Sequence, residues 1–367
     1  MPHRNAAVFA LFCCFIIPLP IISRPAASPP APAPHIPAIF AFGDSTVDPG
    51  NNNHIVTLIR ADHLPYGRAL PEHAASGRFS DGKLATDYLA SALGINDLLP
   101  AYLDPTLSDG ELLGGASFGS AGSGLDELTA NFSNALDIWS QLDYFDEATA
   151  RIRKVAGERK GGEIVKNGLF LISAGSNDLL YNIYLLPKRM LQFSVSQYLH
   201  FLLHNLESVV QRLYSKGARR IMVVGVPPMG CLPLQVTMES LIPNTDHHML
   251  HRHCNNRQNH HCQAYNNGLK ALSSNLQANL VGAKVAYLDI YGPLMDMLAN
   301  PSKYGFEEKS RGCCGSGLVE MGPMCSAVTP TCTDASKFIF WDAVHPSQAA
   351  NSILANRYAA ITLSHLA

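Results

Sequence analysis

The stretch from Phe42 to Asn53, FGDSTVDPGNNN, places a serine where a nucleophile could be exposed. The apolar residues 36–42 just before it have the pattern of a buried strand. Gly43 breaks this strand, and a sharp turn at the end of a strand lifts the next side chains out of the sheet. Ser45 is therefore the candidate nucleophile. An isolated GDS could equally be a polar turn that caps a helix, so this interpretation depends on matching residues farther along the chain.

Asp342 and His345, near the end of the chain, could activate that serine. A serine hydroxyl is a poor nucleophile until a base takes its proton, and histidine is the side chain suited to this task near neutral pH. The base must be held in one tautomer by an acceptor on its other ring nitrogen. Because Asp342 lies three residues before His345, a single turn can bring its carboxylate to the imidazole. By itself a DxxH pattern is weak, since it is common in capped turns.

Acyl transfer also needs hydrogen-bond donors fixed around the developing oxyanion. Gly122, in the glycine-rich run GGASFGSAGSG, offers an unobstructed backbone N–H, and Asn177 offers a side-chain amide. Ser45 adds its own N–H. No GxSxG pattern surrounds Ser45, which argues against the ordinary α/β-hydrolase arrangement.

The elements that must position these residues are apolar strands alternating with long amphipathic helices. This alternation predicts a parallel sheet covered on both faces, with ligands bound beyond the carboxyl ends of the strands. We find no internal repeat and no second hydrophobic core, so we predict one domain. The predicted strands cover residues 36–42, 168–175, 218–226 and 283–289, and the predicted helices cover 83–93 (started by Ser80 and Asp81), 135–156, 195–214, 258–280 and a closing helix through Leu363.

The amino terminus has the features of a secretory signal peptide. Arg4 supplies positive charge, residues 6–22 are apolar, and small residues follow at 26–28. The apolar run is short and contains two prolines, which favours a cleaved signal peptide over a membrane anchor. We therefore predict a signal peptide at 1–27, a Pro/Ala-rich leader at 28–37 and one folded domain at 38–367. Asn131, in the sequon Asn-Phe-Ser, is the candidate glycosylation site of a secreted protein.

The cysteines fit an oxidising compartment. The chain has nine, and Cys13 and Cys14 fall in the predicted signal peptide, which leaves seven. Four of these lie close together in a glycine-rich segment and are expected to form two bridges among themselves: Cys313, Cys314, Cys325 and Cys332. Cys231 and Cys254 border a loop and could meet, so Cys262 is predicted to be the unpaired thiol.

Composition excludes one class of partner. The 367 residues carry a net charge of −2, which provides no electrostatic basis for binding nucleic acid. Histidines 247, 248, 251, 253, 260 and 261 crowd a segment near Cys254 and Cys262. A zinc site is the alternative there, but the residues match no recognised ligand spacing, so we expect a solvated loop and no metal.

Taken together, these blocks resemble the plant-type GDSL esterase/lipase family of the SGNH hydrolases. The matching segments span nearly all of the mature chain: FGDSTVDPGNN at 42–52, PYG at 65–67, GRFSDGK at 77–83, SFGSAGSG at 117–124, GSND at 175–178, GVPPMGCLP at 225–233, CCGSG at 313–317 and FWDAVHPSQAAN at 340–351. The resemblance implies a three-layer α/β/α sandwich of flavodoxin-like topology. It also implies Ser45 as nucleophile, Asp342 and His345 as the rest of a triad, and Gly122 and Asn177 in the oxyanion hole, with no cofactor.

We therefore expect a secreted serine ester hydrolase, located in the cell wall or apoplast, that acts on a small-molecule ester or lipid through an acyl-enzyme and takes part in lipid metabolism. The alternatives are an acetylesterase acting on cell-wall polysaccharide, an acyltransferase in which an alcohol replaces water, and a catalytically silent secreted binding glycoprotein. The last is disfavoured, since a competent residue occupies every catalytic position. Fold alone does not separate these alternatives.

Overall fold

The computed structural model describes residues 35–241 and 252–366. The predicted signal peptide and residues 28–34 of the predicted leader lie outside the described residues. The helices in the described part of the chain are α1 (Ala85–Ala92), α2 (Glu127–Ser133), α3 (Ile138–Ala156), α4 (Glu158–Asn167), α5 (Ser176–Leu179), α6 (Val195–Ser215), α7 (Pro233–Ser240), α8 (Asn256–Asn279), α9 (Tyr291–Ala299) and α10 (Gln348–Ile361). None of the helices described is long and apolar enough to cross a membrane.

A five-stranded, all-parallel sheet forms the centre of the molecule. Its strands are β1 (Ile39–Gly43), β2 (Gly115–Ser117), β3 (Leu169–Ser173), β4 (Arg220–Val224) and β5 (Lys284–Leu288), arranged in the order β2-β1-β3-β4-β5. This is the order of flavodoxin-like sheets, in which ligands bind at the carboxyl edge near the point where the strand order reverses. Here that point lies between β1 and β3, at the end of the strand that leads to Ser45. The predicted parallel α/β sandwich is therefore confirmed.

Helices flank this sheet, as a sheet with near-continuous apolar strands requires. Helices α3, α6 and α8 pack side by side, and α1 packs against α10. The rings of Phe40 and Phe42 on β1 contact Phe145 of α3 edge-on, with centroids 5.3 and 5.7 Å apart. These rings are fully buried, so they anchor β1 and fix where its carboxyl end emerges.

Several boundaries differ by a few residues from those predicted, and capping explains the start of two helices. Helix α3 begins at Ile138 because the Asp137 carboxylate accepts hydrogen bonds from the N–H groups of Trp139 and Ser140, each at 2.9 Å. The first predicted helix begins at Ala85 and not at Lys83, and Ser80 and Asp81 do not cap it. There the Asp87 carboxylate accepts the N–H of Leu84, while Asp81 instead accepts the N–H of Gln348 at the start of α10.

Strand β2 was not predicted, because it lies inside the glycine-rich run. Gly115 has a φ of 87°, and a Cβ there would lie 2.0 Å from the carbonyl oxygen of Ile39 on the neighbouring strand. Only glycine permits this approach. Glycine allows β2 to pair with β1, but a strand containing glycine lacks the apolar, β-branched pattern from which strands are predicted.

A second sheet, of two parallel strands, is formed by residues in the last part of the chain. It pairs β6 (Glu308–Gly312) with β7 (Phe338–Phe340), and disulfides staple the segment between them. The predicted pairing is confirmed, with bridges Cys231–Cys254, Cys313–Cys332 and Cys314–Cys325 and with Cys262 free and buried. Since Asp342 follows β7 directly, this stapled segment lies beside the candidate site.

Candidate active site

Ser45 lies in the turn that follows β1, at the carboxyl edge of the sheet. The turn presses against β3: Gly43 has a φ of 131°, and a Cβ there would lie 1.8 Å from the carbonyl oxygen of Ser173. The same oxygen accepts the N–H of Asp44 at 3.0 Å. This contact fixes the direction in which the chain leaves the strand, so the Ser45 side chain is held at the strand's end.

A continuous chain of hydrogen bonds joins Asp342, His345 and Ser45. Nε2 of His345 lies 2.8 Å from Oγ of Ser45, and its Nδ1 lies 2.9 and 2.8 Å from the two carboxylate oxygens of Asp342. Oδ1 of Asp342 also accepts the N–H groups of Val344 and His345, at 2.8 and 2.7 Å. The short turn therefore aims the carboxylate at the imidazole. With Nδ1–H donating to Asp342, Nε2 is free to accept the serine proton.

Tyr66, which was not predicted to belong to the site, contacts the Asp342 carboxylate on the side away from Ser45. Its hydroxyl donates to Oδ2 of Asp342 and accepts the N–H of Gly322, both at 2.7 Å. Burial, together with the nearby Asp342 carboxylate, raises the pKa of Tyr66 well above its usual value, so the phenol stays protonated and can donate. The only available signal was its place in the PYG block, which says nothing of a partner 276 residues away.

Gly122 and Asn177 lie beside Ser45, as expected. Gly122 has a φ of 89°, a conformation that suits glycine. Asn177 lies on α5, just after the turn that ends β3. Its Nδ2 donates to the carbonyl oxygen of Ser123 at 2.9 Å. The structure thus brings together all five residues expected at the site: Ser45, Gly122 and Asn177 with His345 line one cavity, and Asp342 is buried behind His345.

Two cavities meet at Ser45, Asn177 and His345. The inner cavity extends beneath the carboxyl ends of β3, β4 and β5 towards α9 and α10, and its wall includes Thr46, Pro227, Met229, Ile290, Leu294 and Leu354. The outer cavity lies on the other side of Ser45, and its wall includes Ile59, Phe79, Gly122, Tyr181, Met321 and Met324. The site can therefore receive a substrate with two arms that diverge from the reacting carbon.

A buried carboxylate, that of Asp44, also faces the inner cavity. Burial raises its pKa, although its Oδ1 accepts hydrogen bonds from both the N–H and the hydroxyl of Thr46. These two bonds hold the carboxyl group against the turn beside Ser45.

The other residues singled out in the sequence lie away from these cavities or outside the described residues. Asn131 is exposed on α2, so the predicted glycosylation site is accessible. His247, His248 and His251 fall outside the described residues. Within 35–241 and 252–366, no group of three or more His, Cys, Asp or Glu side chains is placed to hold a metal ion. His261 stacks on Tyr184 with ring centroids 6.1 Å apart.

Comparison with known proteins identifies the family of this chain. Residues 39–358 match the family model described as GDSL-like lipase/acylhydrolase. Two curated proteins of Arabidopsis thaliana, each described as a GDSL esterase/lipase, are 47% and 45% identical to this chain. The first covers 96% of both chains and the second 87% of both. A solved catalytic mutant of an acetylxylan esterase from Geobacillus stearothermophilus is 15% identical, with a TM-score of 0.39, and covers 88% of this chain and 93% of its own. A likeness of that degree says nothing about the substrate.

Proposed function

This chain belongs to the GDSL-like lipase/acylhydrolase family and is an ester-bond hydrolase, and we propose that it works as a secreted serine esterase through an acyl-enzyme on Ser45. The observation that carries the proposal is the unbroken hydrogen-bond chain from the Asp342 carboxylate through His345 to Oγ of Ser45. It ends in a cavity at the carboxyl edge of the parallel sheet.

In the first half of the reaction, Oγ of Ser45 attacks the ester carbonyl carbon while its proton moves to Nε2 of His345. The carbonyl electron pair moves to oxygen, and the N–H groups of Ser45 and Gly122 and the amide of Asn177 donate to the resulting oxyanion. The intermediate collapses, the bond to the alcohol oxygen breaks, and His345 returns the proton to that oxygen. The acyl group is then esterified to Ser45.

In the second half, water replaces the alcohol. His345 takes a proton from the water as the water oxygen attacks the acyl carbon, and the oxyanion forms again in the same place. The intermediate then collapses, the bond from the acyl carbon to Oγ of Ser45 breaks, and His345 returns the proton to Oγ, which releases the carboxylic acid. Asp342 stabilises the imidazolium that forms in both halves and keeps the ring in one tautomer. Tyr66 positions Asp342 without touching the substrate.

Secretion is part of the proposal. Residues 1–27 would be removed as a signal peptide, 28–37 would form a leader, and 38–367 would fold as one domain, with a glycan on Asn131. Three disulfides support an oxidising compartment, because such bridges persist outside the cytosol. The amino-terminal sequence and the glycan on the secreted protein can be read directly by mass spectrometry.

A fluorophosphonate probe tests the chemistry. The probe should form an adduct with Ser45 and abolish hydrolysis of p-nitrophenyl esters, and Ser45→Ala should prevent both labelling and hydrolysis. Ser176→Ala removes another hydroxyl from the same cavity wall and serves as the matched control, which should still be labelled at Ser45. An adduct on a different residue, or no labelling and no hydrolysis at all, would overturn the proposal in favour of a binding protein.

A further inference from the structure

The two cavities at Ser45 differ in a way that separates the two parts of an ester. Resting on the proposed function, we propose that the inner cavity binds the acyl chain of a medium-length fatty acid ester and that the outer cavity takes the alcohol. This assigns a substrate class, aliphatic acyl esters longer than acetate, that family membership leaves open.

The wall of the inner cavity is mainly apolar and therefore suits an apolar chain. Apart from the polar groups beside Ser45 and the polar atoms of Asn351 and Tyr358, its lining is mainly buried and apolar, and includes Met229, Leu232, Ile290, Leu294 and Leu354. Such a wall stabilises methylene groups by removing them from water, and away from Ser45 it offers few hydrogen-bond partners to the hydroxyls of a sugar. A polysaccharide acetyl group would leave most of this surface uncovered.

The order of the chemical steps decides which arm enters which cavity. The alcohol must leave and water must enter while the acyl group stays bound to Ser45. The outer cavity suits the departing group, because Met324 at its wall is 52% exposed and the cavity therefore reaches solvent. The inner cavity, enclosed by buried residues, suits the group that stays.

The size of the inner cavity sets the expected chain length. Its free volume is about 70 Å³. Since one water-sized group needs about 10–15 Å³, the cavity can hold a chain of several carbon atoms, and it is much smaller than the outer cavity of about 260 Å³. We therefore expect hydrolysis of p-nitrophenyl esters to be fastest between butanoate and octanoate, with acetate and palmitate both slower.

Leu294 provides the variants that test this assignment, since it lies on α9 with its side chain in the cavity wall. Leu294→Trp fills the cavity and should lower the ratio of octanoate to acetate kcat/KM by about 10- to 200-fold, the range that small size differences produce in apolar pockets. Leu294→Ala enlarges the cavity and should move the optimum to longer chains, which keeps the test decisive should the tryptophan variant fail to fold. Leu298→Trp places the same change at a buried position of α9 that lines neither cavity, and should keep the wild-type chain-length profile.

Met324→Trp tests the other half of the assignment. With the acyl group held constant, it should lower kcat/KM for bulky alcohols relative to methanol esters while leaving the acyl profile alone. The proposal is overturned if wild-type activity peaks at acetate, or if Met324→Trp changes the acyl profile and Leu294→Trp does not. Acetate-only hydrolysis with Ser45 labelled would overturn only this assignment, whereas the absence of both labelling and hydrolysis would overturn the proposed function as well.

Discussion

Replacing Asn177 with alanine removes one amide from the place where the two cavities meet. One N–H of this amide donates to the carbonyl oxygen of Ser123 at 2.9 Å, which holds the amide plane. An asparagine side chain carries two such donors, so the second remains for the oxyanion. The substitution therefore affects two quantities, the barrier to the chemical step and the stability of the fold. The magnitude of each effect follows from the hydrogen bonds that are lost.

The catalytic cost should be much larger than the structural one. Removing one preorganised oxyanion donor lowers kcat by about 10²–10³, which is ~2.7–4 kcal/mol. Losing the bond to Ser123 should lower the free energy of unfolding by about 1–3 kcal/mol, because the carbonyl is left buried without that partner. Since the oxyanion is absent from the bound substrate and develops only as Ser45 attacks, KM should change little.

Steady-state kinetics on a p-nitrophenyl ester, with urea unfolding of the same samples, separates the two effects. Asn182→Ala is the matched control: Asn182 is also buried, and its amide donates to Thr129 and Tyr198, but it lines neither cavity. The control should lose comparable stability and keep its kcat. Ser45 of the Asn177→Ala variant should still react with a fluorophosphonate, though more slowly.

Two results would refute this reasoning. A raised KM with kcat intact would make Asn177 a substrate-binding residue instead of an oxyanion donor. An equal loss of kcat in Asn177→Ala and Asn182→Ala would mean that the activity depends on local stability and not on a donor.

Two further predictions concern the residue behind the site and the free cysteine. Tyr66→Phe should lower the free energy of unfolding by about 1.5–3 kcal/mol, because it removes a hydrogen bond to the Asp342 carboxylate, and unchanged urea unfolding would contradict this. Burial raises the pKa of Cys262 to about 12, so iodoacetamide at pH 8 should modify this thiol only after unfolding, and rapid labelling of the native protein, read by mass spectrometry, would show that it is accessible.

Much of this protein is determined by patterns that are local in the sequence. Apolar runs followed by polar turns predicted β1 and β3 together with the residues that follow them, Ser45 and Asn177. The three-residue spacing of Asp342 and His345 predicted a contact that one turn can make. Cysteine positions indicated that Cys262, inside a helix, stays free, and they excluded a bridge between adjacent Cys313 and Cys314, but only the structure shows which of these two pairs with Cys332.

Tertiary structure alone decided what depends on distant parts of the chain. Strand β2 escaped prediction, since its glycines are required by a close approach to β1 that only the folded sheet creates. The bond from Tyr66 to Asp342 spans 276 residues, and no local pattern specifies a partner so far away. The inner cavity is likewise built from the ends of three strands and from two helices, so its volume follows from how these elements pack. Packing of this kind depends on the shapes of all the side chains at once, which is why the sequence indicates an ester hydrolase while the size and lining of its cavities follow only from the fold.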